Sequence, residues 1–186
     1  MNNYSIALFL HIVGALGFFI ALGLEWTGLS QIRSATTLEQ VRGWMGILKN
    51  VRKFGFVSML TTVVTGLYML VAYWGGVAWI YVTLGSLVLV IAFAQVLTAP
   101  RMVAIGQAVA KEKGFLSQSF YNLANHPILW LSIQTRVAIL LGMIFLKIAK
   151  PALGGSLLTI GVAIVLGLAS GLPVARRERA QARSTN

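Results

Sequence analysis

The chain of 186 residues is 58% apolar and 10% charged, whereas a soluble domain is typically about a quarter charged and under half apolar. Its formal net charge of +11 arises from 15 Lys and Arg against 4 Asp and Glu. The sequence has no cysteine, which excludes disulfides, thiolate zinc sites, iron–sulfur clusters and covalently attached haem. These values predict an integral membrane protein.

Apolar runs of about twenty residues, the length that crosses a hydrocarbon core about 30 Å thick, recur along the chain. The runs are unbroken rather than alternating, so they predict helices and not the strands of a barrel. The predicted fold is an all-α, polytopic membrane bundle of five transmembrane helices over residues 1–175, followed by a basic cytoplasmic tail over residues 176–186. The predicted spans cover about 5–29, 54–74, 78–98, 128–149 and 152–172.

Basic residues concentrate after the first and third spans and in the tail, whereas the leader and the hairpin at Gly75 and Gly76 have none. The positive-inside rule therefore predicts an outside N-terminus and a cytoplasmic C-terminus in a bacterial-type inner membrane. The expected partner is a bilayer with anionic headgroups on the cytoplasmic side, and no nucleic acid. Small residues of the fifth span, Ala163, Gly167 and Gly171, would allow close packing within the bundle or between protomers, in a homo-oligomer or a larger membrane complex.

The loop between the first two spans is expected to be helical. Thr36 with Glu39, or Thr37 with Gln40, matches a capping box, and apolar residues at helical spacing follow. Such a segment would either lie on the inner leaflet or extend the neighbouring spans inward.

His11 lies about two turns into the first span, where an ionisable group is by default a functional hypothesis. It shares a stripe at spacings of three and four with Gly14, Phe18, Ala21 and Glu25, and this stripe should face the bundle interior. An imidazole at this position could bind haem iron or a copper ion, relay protons, or only hydrogen-bond a neighbouring hydroxyl group.

A second ligand would be needed to hold a b-type haem or a copper ion beside His11. Met69 or Met143, both from the outer half of the predicted bundle, could complete a His/Met pair. The other histidine, His126, lies near the opposite membrane face. It is expected to belong to the start of the fourth helix, beside Asn125 as the cap.

Glu25 and Arg136 lie at similar predicted depths, which differ by about 6 Å at 1.5 Å per residue. A buried unpaired charge is expensive, so a pair between them is expected. Further polar side chains are predicted near the same depth: Gln95, Gln134, Thr61 and Thr65. This polar cluster could serve proton or small-solute transport, or it could only clamp helices together.

The stretches "LHIVGALGFFIALG" and "TTVVTGLYMLV", separated by a basic loop, resemble the first two spans of small bacterial integral-membrane proteins of the copper-resistance D-like family. The resemblance implies a helix bundle with copper- or haem-related chemistry, in which His11 is the functional residue and Thr65 and Gly66 are packing positions. The chain differs from the family pattern because it lacks methionine-rich outer loops and a second histidine in the outer half.

Several enzyme classes are not expected, because the sequence has no triad-type constellation, no H-E-x-x-H motif, no phosphate-binding glycine loop and no aspartate. Three functions stay open: a bundle that binds haem or copper through His11, a small proton-coupled transporter that uses Glu25 and Arg136, and a non-catalytic accessory subunit. We take the first as the working hypothesis.

Overall fold

The computed structural model describes residues 2–170 with their side chains and residues 171–184 as helical backbone. The predicted tail over residues 176–186 therefore lies outside the residues with described side chains. Within the described chain the elements are helical, with no strand. The helices are α1 (Asn3–Ser34), α2 (Leu38–Met69), α3 (Ala78–Ala92), α4 (Ala99–Lys111), α5 (Gln118–Ala124), α6 (Pro127–Ala149) and α7 (Leu153–Ser184), with π-helical segments at Leu70–Trp74 and Phe93–Thr98.

Among the described residues, five helical stretches are long and apolar enough to cross a membrane. They are Asn3–Ser34, Leu38–Trp74, Ala78–Lys111, Gln118–Ala149 and Leu153–Ser170. Large apolar side chains such as Phe9, Leu16 and Val71 are exposed on these helices, as expected of surfaces that contact lipid rather than water. The prediction of an all-α chain with five helices able to span a membrane is confirmed, and its orientation stays a prediction.

The turn between α1 and α2 is short, because α2 begins at Leu38 directly after a capping box. The Thr37 hydroxyl accepts a hydrogen bond from the Gln40 N–H at 3.3 Å, and the Gln40 side chain accepts one from the Thr37 N–H at 3.4 Å. Two otherwise unsatisfied N–H groups are bonded in this way. The segment 38–53 thus continues into the second spanning helix and is not a separate surface helix.

The residues group into two compact units, Met1–Val77 with Lys113–Leu116 and Ala78–Glu112 with Ser117–Asn186. In the first unit, α1 and α2 pack side by side in opposite directions, so that Gly14 faces Thr62 and Gly28 faces Leu48. The residue numbers of facing pairs sum to 76 in both cases, which defines the register of this helix pair.

In the second unit, α6 packs against α7 and α3. A Cβ atom at Gly167 of α7 would lie 2.5 Å from the Cα atom of Thr135, and one at Gly142 of α6 would lie 3.2 Å from the Cβ atom of Ala163. Such distances require small side chains where the helices cross. Ala163 and Gly167 therefore serve packing between α6 and α7, while the packing at the third predicted position, Gly171, lies outside what the structure describes.

Candidate functional site

The side chain of His11 binds the backbone of α2. Its Nδ1 atom lies 2.9 Å from the carbonyl oxygen of Thr62 and 3.4 Å from the hydroxyl oxygen of Thr65. A carbonyl oxygen can only accept a hydrogen bond, so Nδ1 carries the proton and donates it. The neutral ring then has its lone pair on Nε2, the nitrogen that a metal or haem iron would take in this tautomer.

The carbonyl of Thr62 can bind His11 without leaving its own helix. In an α-helix this oxygen accepts from the N–H of residue 66, and its second lone pair is available to the imidazole. Gly66 is what lets the ring approach, since a Cβ atom there would lie 3.0 Å from Cε1 and 3.2 Å from Nδ1 of His11. The early histidine and the Thr-Gly pair thus form one structural feature.

Close contact between α1 and α2 continues from His11 toward the C-terminal end of α1. A Cβ atom at Gly14 would lie 2.7 Å from the Thr62 hydroxyl oxygen, and one at Gly17 would lie 2.5 Å from the Ser58 hydroxyl oxygen. The Thr62 and Thr65 hydroxyl groups donate to carbonyls one turn earlier in α2, at 2.9 and 2.6 Å. Their polar atoms are thereby satisfied within the helix, and the interface presents small, low-polarity surfaces to α1.

Met69 lies on the same stripe of α2 as Thr62, Thr65 and Gly66, one turn of about 6 Å beyond Thr65. Its side chain is buried, with 7% of its surface exposed. The other predicted sulfur ligand, Met143, is half-buried on α6 in the second unit. His11 and Met69 therefore lie in the first unit and Met143 lies in the second, and both ligand pairs stay predictions.

An open, apolar cleft of about 360 Å³ lies between α1 and α2 next to this site, lined among others by Leu10, Thr65 and Tyr68. Thr65 belongs both to the cleft and to the surroundings of His11. The Tyr73 ring packs edge-on against Tyr68 and Tyr4, with ring centres 6.0 and 5.0 Å apart. Thr65 is thus the residue shared by the surroundings of His11 and an apolar cleft whose lining includes Tyr68.

A second buried polar group lies within the second unit. Arg136 of α6, 4% exposed, donates from Nη2 to the Thr98 hydroxyl oxygen at 3.4 Å. The Thr98 and Ser132 hydroxyl oxygens are 2.9 Å apart, and Ser132 donates to the carbonyl of Phe93 at 3.1 Å. Thr98 was missed by the sequence analysis. The nearby Pro100 indicates a disturbed helix at the preceding turn, but it does not indicate which side chain bonds Arg136.

The predicted pair of Glu25 and Arg136 is divided between the two units. Glu25 is half-buried on α1, on the side that carries the buried Ala21 and Gly28. Arg136 lies on α6 in the second unit. The pairing of Glu25 with Arg136 therefore stays a prediction.

The remaining members of the predicted cluster have different surroundings. Gln95 is exposed in the second π-helical segment, and Gln134 is half-buried on α6. Thr61 of α2 donates to the carbonyl one turn earlier at 3.0 Å. Thr65 lies beside His11. The first unit thus brings Thr65 together with the histidine.

His126 caps α6. Its Nδ1 atom accepts the N–H of Ile128 at 3.3 Å, and Pro127 opens the helix. The prediction that Asn125 is the cap is wrong, because the imidazole of His126 itself occupies the position that bonds the free N–H groups of the first turn. His126 therefore has a structural role and serves below as a matched control for His11.

Comparison of the chain with protein-family models, with curated proteins and with solved structures finds no match. Among the described residues there is also no group of three or more His, Cys, Asp or Glu side chains that could hold a metal ion.

Proposed function

We propose that this chain is a multi-pass protein of a bacterial-type inner membrane that holds a b-type haem or a copper ion through His11. The observation that carries the proposal is the bond between His11 Nδ1 and the Thr62 carbonyl oxygen at 2.9 Å. Histidines that bind metals characteristically donate their other N–H to a carbonyl or carboxylate, which fixes the ring and raises its basicity.

The donor set fits such a group. An imidazole nitrogen from His11 and a thioether sulfur from Met69 are ligands of haem iron in electron-transfer proteins and of copper. When bound, either group supplies one-electron redox chemistry. The chain's own contribution is to orient the ring through Thr62, to make room for it at Gly66, and to surround the site with apolar side chains.

The test is a visible-light spectrum and a metal analysis of the protein purified from its membrane. We expect a haem Soret band or about one copper ion per chain, and loss of the signal in His11→Ala. His126→Ala is the matched control, because it removes the other histidine and should leave the signal unchanged. A colourless, metal-free protein, or equal signals in wild type and His11→Ala, would refute the proposal.

Methionine variants distinguish the two possible ligand pairs. We expect Met69→Leu to shift the absorption band or to weaken copper binding, because leucine preserves the volume and removes the sulfur. Met143→Leu should leave both unchanged. The opposite result would assign the second ligand to Met143.

A second candidate function is a small proton-coupled transporter that uses Glu25 and Arg136. The observation in its favour is the burial of Arg136, 4% exposed on a helix able to span a membrane, since intramembrane charges commonly mark solute or proton paths. Proton-dependent solute flux in proteoliposomes that is lost in Glu25→Gln would support it. A protein without cofactor and without flux would favour the third candidate, a non-catalytic accessory subunit whose polar residues clamp helices.

A further inference from the structure

The helical stretch from Ala78 to Lys111 is interrupted by the π-helical segment Phe93–Thr98. In this segment the N–H of Ala99 bonds the carbonyl of Ala94, five residues earlier. Such wide turns make up well under about 1% of residues in proteins, and they occur frequently at functional sites. A local cause and a set of stabilising contacts are both present in the second unit.

The local cause is Pro100, the second residue of α4. In a regular α-helix its ring would clash with the carbonyl of Val96, and it has no N–H to bond that oxygen. Widening the preceding turn relieves this conflict. The proline thus favours the π form without fixing it, since prolines are also accommodated by kinks.

The stabilising contacts come from α6 and bind both ends of the segment. Ser132 donates to the carbonyl of Phe93 at the first residue, and its hydroxyl oxygen lies 2.9 Å from that of Thr98 at the last residue. Arg136, one turn further along α6, donates to the same Thr98 hydroxyl group. Thr98, Ser132 and Arg136 are all at most 4% exposed, so these bonds form away from solvent.

This set of contacts depends on the π form. Ser132 bonds the backbone carbonyl of Phe93 and the side chain of Thr98. Conversion to the α form would turn Thr98 by about 100° about the helix axis relative to Phe93, the rotation that one residue contributes. The Thr98 hydroxyl group would then leave Ser132, whereas the Phe93 carbonyl belongs to the backbone and keeps its position.

We propose that Phe93–Thr98 is a two-state hinge, held in the π form by Ser132 and Arg136 of α6. Its conversion to the α form turns α4 by about 100° relative to α3, the rotation that one residue contributes. The orientation of α4 thereby depends on Arg136, a buried residue on a helix able to span a membrane. This hinge is independent of the proposed cofactor site, which lies in the first unit.

The test uses the full chain in lipid nanodiscs. Because the sequence has no cysteine, Val88→Cys and Gln107→Cys introduce two unique sites for spin labels, both at exposed positions, one on α3 and one on α4. The distance distribution between the labels is measured by pulsed electron paramagnetic resonance, in the parent and in the variants Ser132→Ala and Pro100→Ala.

We expect one dominant distance in the parent and a second distance in both variants. Loss of the Ser132 hydroxyl group removes the contact with Thr98 that only the π form makes, and it should raise the ratio of the second to the first population by roughly threefold. Ser86→Ala is the matched control. Like Ser132, Ser86 is a buried serine, but it lies on α3 and donates only within its own helix, to the carbonyl of Val82 at 2.7 Å. Unchanged distributions in Ser132→Ala and Pro100→Ala, or an equal change in Ser86→Ala, would overturn the hinge.

Discussion

At the scale of single residues, the position of His11 depends on a missing side chain as much as on a hydrogen bond. The Thr62 carbonyl can accept a second hydrogen bond only if the imidazole reaches α2, and Gly66 leaves the space that this approach requires. A part-buried imidazole that loses its acceptor keeps part of its desolvation cost without the compensating hydrogen bond. The glycine is therefore a positioning residue for the histidine.

We expect Gly66→Ala to be less stable by about 1 kcal/mol than Gly46→Ala, which also adds a methyl group to α2 but meets nothing within 4 Å. Comparison of the two alanine variants cancels the gain in helix propensity that both share. The measurement is thermal or denaturant unfolding in detergent. In a His11→Ala background the difference should disappear, and its persistence would show that the added methyl group acts on something other than the imidazole.

At the scale of secondary-structure elements, α1 and α2 form a pair because glycines of α1 face hydroxyl groups and backbone of α2. Gly14 is the tightest of these positions toward backbone, since a Cβ atom there would lie 2.9 Å from the Ser58 carbonyl oxygen and 3.0 Å from the Thr62 nitrogen. Backbone atoms cannot move aside as a flexible side chain can. The spacing of the two helices is therefore determined at this point.

Gly14→Ala should lower the free energy of unfolding by about 1–3 kcal/mol, the usual cost of overpacking a close contact. Gly23→Ala is the control, because it lies on the same helix and its added methyl group meets nothing within 4 Å. We expect the control to be neutral or slightly stabilising. Equal unfolding midpoints for the two variants would contradict the described helix contact.

The sequence predicts these elements better than it predicts their contacts. Spacing alone placed His11, Gly14 and Ala21 on one stripe, because the helical period decides which residues share a face. The sequence analysis grouped Thr65 with the polar cluster around Glu25 rather than with His11. Which residues of α1 and α2 face each other depends on the short turn after Ser34, and the helical period does not determine that turn. The sequence offers two candidate capping boxes, Thr36 with Glu39 and Thr37 with Gln40, and the structure shows that the second one starts α2.

The π-helical segment is a second feature that depends on contacts which the sequence does not predict. No pattern in the sequence predicts a widened turn at Phe93–Thr98, because Pro100 is equally compatible with a kink. The buried contacts of Ser132 and Arg136 decide between these outcomes, and they come from a helix more than thirty residues away in the chain. Thr98 was missed for this reason.

At the scale of the whole molecule, the described residues include five helical stretches able to span a membrane, and two of these stretches carry Glu25, which is half-buried, and Arg136, which is buried. Arg136 and Glu25 have opposite charge, and a charge removed from water is stabilised most effectively by an opposite charge. The expected pair would tie α1 to α6. This expectation follows from the predicted depths of the two residues and has a direct test.

We expect Glu25→Gln and Arg136→Gln each to lower thermal stability in detergent, because each variant leaves one charge without its partner. Removing one member of a fully buried pair typically costs about 3–5 kcal/mol, and because Glu25 is only half-buried we expect a smaller loss. The double variant should be more stable than the sum of the two losses predicts. Additive losses, or near-wild-type stability of both single variants, would refute the pairing.

The central claim is that Nδ1 of His11 is protonated and bound to the Thr62 carbonyl, so that Nε2 carries the lone pair. The most direct measurement is nitrogen NMR of the cofactor-free protein, labelled at histidine, at a pH at which the ring is neutral. His126→Asn leaves a single histidine in the spectrum and keeps a good helix cap. We predict a protonated, pyrrole-type Nδ1 and an unprotonated, pyridine-type Nε2. The reverse assignment would contradict the hydrogen bond and the ligand site that depends on it.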